Sequence, residues 1–401
     1  MLLITHINYR GAWHWASTLV VMMVFRPYGT VARLYRALRG TWIDPTTGIL
    51  HLYDGFPMSN FLQNLAELAK VLEKNPNLHE VFATEKPTEY EMVLKMAQAP
   101  FFRWSPFGNR EEEGTCQYGF LNSKSRNKWA ITGNRCGKTE SGLIEDIADC
   151  LMIDPITRSK SSRYGEPVRM WTVSDTEETS VNVLERIIVE RILGNDESGF
   201  MWNFVHDDCK YTAKSGWANH QLRFTNDSWM QFKFSTQKRN TFQGTSLHKV
   251  HFDEVQPKDI YSECQARLAD TNGYFIGTMT PIYDKTKGIP WIYEDLYLQR
   301  EDKGLEFHTW SLLDNPYVEE DAKRRMMREW DEDEIEARVY GAFVPMGVKL
   351  ALPSSVMRKI REELSSPMTG MLEMEENGEV SFFKEDKGNG LRFESMAEAT
   401  T

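Results

Sequence analysis

The sequence predicts an α/β protein, a mostly parallel sheet flanked by helices, with a small helical region before it. Three observations predict this. Short apolar runs of strand length alternate with stretches of helical period between residues 127 and 280. A turn containing Gly133 and Gly137 joins one such run to a helix. A second run ends in two acids, Asp253 and Glu254.

In chain order, residues 129–132 read as a buried strand, 140–152 as a helix, 168–174 as a strand and 177–193 as a helix. The runs 221–224 and 229–234 flank Asn226-Asp227, the signature of a hairpin. Residues 249–252 and 274–278 are further strands. Strands and helices in this alternation give a parallel sheet covered on both faces, with ligands expected at the carboxyl ends of its strands. Upstream, Phe61, Leu62, Leu65, Leu68, Val71 and Leu72 recur with helical period after Ser59 and Asn60, either of which serves as N-cap.

A chain of 401 residues with 12 Trp and 21 Phe has ample apolar surface for a large domain with appended pieces. The net charge of -11 excludes a protein that coats nucleic acid over its whole surface, since that affinity comes from Lys and Arg. Local basic patches remain open at Arg158, Lys160 and Arg163, and at Lys323, Arg324, Arg325 and Arg328. The plainer reading of both is a solvated loop and a solvated helix face. The 5 cysteines contain no CxxC pair and fit neither a zinc site nor a disulfide framework, so a reducing cytoplasm is the simplest inference. The apolar stretch 12–25 falls short of the roughly 18–20 residues that span a bilayer, and no A-x-A cleavage pattern follows it, so no membrane is expected.

Thr132-Gly133-Asn134-Arg135-Cys136-Gly137-Lys138-Thr139 carries the chemistry. A phosphate chain needs backbone N–H groups aimed at it and gains from the positive end of a helix; glycines let the loop wrap closely. Gly133, Asn134, Cys136 and Gly137 would form the loop, Lys138 would reach the β- and γ-phosphates, and the Thr139 hydroxyl would ligate Mg²⁺. Thr132 stands where the strict pattern has its first glycine, so a chance Gly-Lys-Thr in a loop is the competing reading. The companion feature is Val250-His251-Phe252-Asp253-Glu254. Asp253 is the candidate metal ligand and Glu254 the candidate catalytic base. Gly277-Thr278-Met279-Thr280-Pro281 ends a third strand, where Thr278 and Thr280 either sense the γ-phosphate and couple its loss to motion or serve only as turn residues. These segments together predict a P-loop NTPase of the ASCE (RecA-like) type, using ATP and Mg²⁺.

With these segments in hand, the chain resembles the phage terminase large subunit, in the branch whose phosphate loop reads GNR-x-GKTE: here Gly133 through Glu140. The likeness continues at Thr241-Phe242-Gln243-Gly244-Thr245, Asp259-Ile260-Tyr261, Arg267-Leu268, Gly273, Thr278-Met279-Thr280-Pro281, Asp314-Asn315-Pro316 and Arg338-Val339-Tyr340-Gly341. It covers roughly residues 100–360 and divides the chain into an N-terminal region (1–95), an ATPase domain (96–345) and a linker (346–401). The resemblance implies an ATP-driven motor, a homo-oligomeric ring on the procapsid portal protein, working with a small terminase subunit in the host cytoplasm to move double-stranded DNA inward. It implies that Arg135 lies near the γ-phosphate and that Gln117 recognises adenine.

Two departures stand out. Where some members carry a neighbour-activating arginine before the acid strand, this chain has Phe242-Gln243-Gly244, leaving Arg239 and Arg267 as candidates. The family's nuclease strand would begin shortly past Phe393, so DNA cleavage is expected to be absent from this polypeptide. A helicase-like ATPase and a nucleotide-binding subunit without turnover are the alternatives.

Overall fold

The computed structural model describes residues 87–108, 115–161, 163–282 and 291–343, together with residues 79 and 83 and the strands Thr41–Ile43, Leu50–Leu52, Gly370–Met374, Val380–Lys384 and Leu391–Arg392. The apolar stretch 12–25 and the amphipathic run 59–74 lie outside the described residues, as does the linker except for its three strands.

Seven strands form the central sheet: β1 (Lys128–Ile131), β2 (Arg169–Ser174), β3 (Gln221–Arg223), β4 (Trp229–Phe234), β5 (Lys249–Asp253), β6 (Tyr274–Met279) and β7 (Glu306–His308). Their order is β7-β1-β6-β5-β2-β4-β3, and every pair is parallel except the edge hairpin β3–β4. The register sets Thr278 beside Asp253 and Met279 beside Ile131, so β6 stands between the loop-bearing strand and the acid-bearing strand. Every residue of β1, β5 and β6 is buried, as expected of parallel strands covered on both faces.

The helices are α1 (Pro87–Gln98), α2 (Pro100–Arg103), α3 (Cys116–Asn122), α4 (Lys138–Cys150), α5 (177–193), α6 (Lys258–Leu268), α7 (Glu320–Arg328) and α8 (Glu332–Arg338). α5 is continuous but turns widely over Ser180–Glu185 and Ile188–Leu193. Thr176 caps it through an oxygen that accepts from Thr179 N at 3.1 Å, and Val181, Leu184, Ile188 and Ile192 form its buried face.

Two-residue periodicity sorts each strand between the layers. Trp129, Ile131, Trp171, Val173 and Phe252 pack on one face with Ile260, Cys264 and Leu268 of α6. On the other, Leu143, Ile147 and Ala148 of α4 join Leu184, Ile188 and Ile192 of α5, with Val93 and Met96 of α1. Trp129 stacks on Phe252 with centroids 6.1 Å apart and planes 8° from parallel. A Cβ at Gly277 would sit 2.0 Å from that indole, which is why the strand carries glycine there.

Charge is buried beneath α4. Lys249 is fully buried and pairs with Asp146 at 2.8 Å and Asp149 at 2.7 Å, while Lys128 pairs with Glu145 at 3.0 Å. Arg163 reaches the same acids, at 2.9 Å from Glu145 and 3.3 Å from Asp149.

Both basic-patch readings need correction here. Arg158 is buried and donates to the carbonyls of Phe101 at 2.7 Å and Trp104 at 3.2 Å. Arg163 is spent on α4, so Arg158 and Arg163 serve the core and α4 rather than a basic patch, and Lys160, exposed, is the one of the three without such a partner among the described residues. On α7, Arg324, Arg325 and Arg328 are exposed, but Lys323 is buried and donates to Leu313 O at 2.9 Å. The strand β7 carries no sequence signature because Glu-Phe-His is short and polar, and its pairing with β1 is what makes it a strand.

Candidate nucleotide site

β1 leads into the 132–137 turn and then α4, as the sequence predicts. Arg135 and Gly137 take left-handed φ values of 57° and 72°, which coil the turn tightly. Its carbonyls are tied from outside: Asn315 Nδ2 donates to Arg135 O at 2.7 Å, Trp310 Nε1 to Cys136 O at 2.8 Å, and Gln117 Nε2 to Gly137 O at 3.1 Å. In a trans peptide the N–H points opposite to the C=O, so the N–H groups of Cys136, Gly137 and Lys138 face away from these partners. Such a row of inward amides at a helix start is an anion cradle.

The loop is also closed by the end of α8. Asn134 N donates to Arg338 O at 2.6 Å, and a Cβ at Gly133 would lie 2.4 Å from both Arg338 O and Val339 O. Gly133 therefore allows a close backbone approach even though it sits one place later than the strict motif.

Three strand ends meet around the loop. Asp253 Oδ1 accepts from Thr139 Oγ1 at 3.0 Å and from Thr278 Oγ1 at 2.9 Å. Glu254, at φ 62°, turns off β5 and lies 3.2 Å from Lys138 Nζ. Thr280 N donates to Glu254 Oε2 at 3.0 Å, and Glu254 N to Thr278 O at 2.7 Å, so the end of β6 grips both acids. Among the described residues Thr280 Oγ1 is buried without a hydrogen-bond partner.

Crowding by protein pushes the Glu254 carboxyl above its ordinary range; Lys138 pulls it down and the neighbouring Asp253 charge pushes it up again. The side chain keeps 42% of its surface exposed, so water moderates that lift. Burial pushes the Cys136 thiol up to about 12, which makes it a packing residue rather than a nucleophile.

The remaining predicted residues are placed as follows. Arg135 is exposed on the loop. Gln117 is buried, with its carboxamide bonded at both ends: besides Gly137 O, its Oε1 accepts from Phe107 N at 3.4 Å. Arg239 is tied to Glu263 at 2.6 Å, and Arg267 lies in the last turn of α6. Sequence reasoning missed Trp310 as a loop brace, since nothing in a lone tryptophan signals a carbonyl 174 residues away. A cavity of about 410 Å³ opens elsewhere, beside Arg163 and Tyr274 at the start of β6, and none of the predicted nucleotide-site residues lines it.

The donor set fits a hard divalent cation: a hydroxyl and a carboxylate oxygen converge next to an anion cradle. Among the described residues no group of three His, Cys, Asp or Glu could hold a metal alone.

A parallel sheet with this loop, and with one strand between the loop strand and the Asp-Glu strand, defines a P-loop NTPase fold of the ASCE type. Within that class the chain is similar to large terminase subunits of bacteriophages. It is 27% identical over 234 residues to the terminase large subunit of Salmonella phage P22, a match covering 53% of this chain and 46% of that protein. The match thus spans about half the length of the curated relative. Among solved structures, the large terminase of a thermophilic bacteriophage aligns at TM-score 0.44 and 12% identity, covering 74% of this chain and 70% of that one. The HK97 bacteriophage large terminase aligns at TM-score 0.40 and 10% identity, covering 77% and 62%. At such values these structures carry no residue correspondence. No family model matches the sequence. Among the described residues no helix is long and apolar enough to cross a membrane.

Proposed function

We propose that this chain hydrolyses ATP with Mg²⁺ and uses the energy to drive double-stranded DNA into a viral procapsid. The observation that carries the reading is the meeting of Thr139 and Asp253 at 3.0 Å, from a phosphate-loop helix and an acid strand 114 residues apart, beside the Lys138–Glu254 pair. The loop amides and Lys138 hold the β- and γ-phosphates, and Thr139 and Asp253 hold the metal. When bound, Mg²⁺ neutralises charge on the phosphates. An arriving phosphate competes with Glu254 for the Lys138 ammonium, so binding weakens the Lys138–Glu254 pair and leaves Glu254 to take a proton from water. The upward push on its carboxyl suits a base. Arg135, exposed on the loop, would reach the γ-phosphate of a bound nucleotide, and the Thr278–Thr280 grip on both acids passes the change of state into β6. Gln117 recognises adenine by giving up its bond to Phe107.

The similarity to the terminase large subunit of phage P22 supports a terminase setting, within which we place the chain in a homo-oligomeric ring on the portal, working with a small terminase subunit in the host cytoplasm. Phosphate release from ATP is the direct test. Lys138→Ala and Glu254→Gln are expected to lower it by at least about 100-fold, the scale on which a positioned acid or base acts. Full turnover in either variant overturns the assignment. With procapsids present, wild-type chain and ATP should protect linear DNA from added nuclease; unwinding of a forked duplex without that protection favours the helicase alternative.

A further inference from the structure

A second polar chain leads away from the metal-facing residues into the core. Asp253 Oδ1 accepts the only hydrogen of the Thr278 hydroxyl. The Thr278 oxygen is then left to accept, and His251 Nε2 lies 2.9 Å from it. The other ring nitrogen, Nδ1, faces Asp146 Oδ2 of α4 at 2.5 Å. Asp146 is in turn held by Lys249 at 2.8 Å. His251, Thr278 and Asp146 are all fully buried, so water offers none of them another partner.

An independent steric feature serves the same ring. Gly142 lies in the second turn of α4, where glycine costs about 1 kcal/mol relative to alanine. A Cβ there would sit 2.5 Å from His251 Cε1 and 2.7 Å from Nε2. The helix thus leaves room for the imidazole at the atom that meets Thr278.

We propose that His251 is a positioning residue of the metal site: with both ring nitrogens donating, Nδ1–H to the Asp146 carboxylate and Nε2–H to the Thr278 oxygen, it commits the Thr278 hydroxyl to Asp253 and fixes Asp253 Oδ1 against Thr139. Because Asp146 lies on the helix that begins with Lys138 and Thr139, the chain Asp146–His251–Thr278–Asp253 also closes back onto the phosphate loop. The loop helix and the acid strand are thereby held in one spacing. A histidine in this strand would otherwise read as a satisfied core residue, and a buried polar chain that ends at a metal-facing carboxylate oxygen distinguishes the two roles.

This inference rests on the nucleotide-site reading, and binding rather than turnover tests it. The dissociation constant of a fluorescent ADP analogue is measured on the full chain with Mg²⁺ and again in EDTA. Wild type should bind more tightly with Mg²⁺; if Mg²⁺ makes no difference to it, the nucleotide-site reading fails and this inference with it. His251→Phe, which removes the donor, should lose about tenfold or more of the Mg²⁺-dependent affinity, the range outer-shell partners of metal ligands command, and keep its EDTA value within about twofold. Gly142→Ala should show the same signature with His251 still present, and Gly142→Ala combined with His251→Asn should recover part of the loss. The proposal is overturned if wild type shows the Mg²⁺ effect and His251→Phe keeps it. An equal drop in both affinities also overturns it, as does thermal unfolding of both single variants below assay temperature with no recovery in the double variant.

Discussion

Lys249→Met tests the buried charge cluster beneath the phosphate-loop helix. Lys249 is fully buried, and its ammonium is the common partner of Asp146 at 2.8 Å and Asp149 at 2.7 Å. Methionine matches its length and leaves two carboxylates in the core with less compensation. Removing one partner of a buried pair costs about 3–5 kcal/mol, because the remaining charge has lost water and gained nothing. Asp149 keeps Arg163 and the Tyr274 hydroxyl, and Asp146 keeps His251, so the lower half of that range is expected. For a folded unit of this size each kcal/mol moves the melting temperature by roughly 2–4 °C, giving a drop of about 6–16 °C. Thermal melting followed by circular dichroism reads it. Neutralising the acids as well, in Asp146→Asn/Asp149→Asn/Lys249→Met, should recover part of the loss, since the penalty lies in unpaired charge and not in lost volume. A drop under about 2 °C, or effects that simply add, would refute the reasoning.

Gly133→Ala should weaken nucleotide binding by about tenfold and lower the melting point by a few degrees. Its Cβ would press on Arg338 O and Val339 O, and the Asn134 N–H bond worth about 1 kcal/mol would be lost; fluorescence titration checks it. Thr280→Val should raise stability by about 1 kcal/mol, because a buried hydroxyl without a partner is removed, and should lower phosphate release if that hydroxyl meets the nucleotide. Unchanged turnover would deny Thr280 a part in coupling. Burial works to raise the Glu145 carboxyl, but Lys128, Lys249 and Arg163 outweigh it and hold it well below its ordinary value of 4.5. A depressed carboxyl stabilises the fold above its unfolded value and loses that contribution as pH falls towards the folded one. The penalty of Glu145→Gln, read from urea midpoints, should therefore be full at pH 7 and shrink below about pH 4.5.

Local properties of the chain were enough to specify the layer order and the chemistry-bearing residues. Alternating periods marked β1, β2, β4, β5 and β6, and the Asn226-Asp227 turn marked the one antiparallel pair of the central sheet, because backbone period and turn conformation are set by near neighbours. The same reading placed Lys138, Thr139, Asp253 and Glu254 at strand and helix ends, where the parallel sheet brings them together. The distant groups that complete the site came from packing alone. Trp310 and Asn315 turn the loop carbonyls outward and the end of α8 takes up the Asn134 N–H, and a partner in space leaves no period or spacing in the chain. The charges were the hardest to read. Lys249, Arg158 and Lys323 look solvated as single letters, and only the carboxylates and carbonyls packed around each one make burial tolerable.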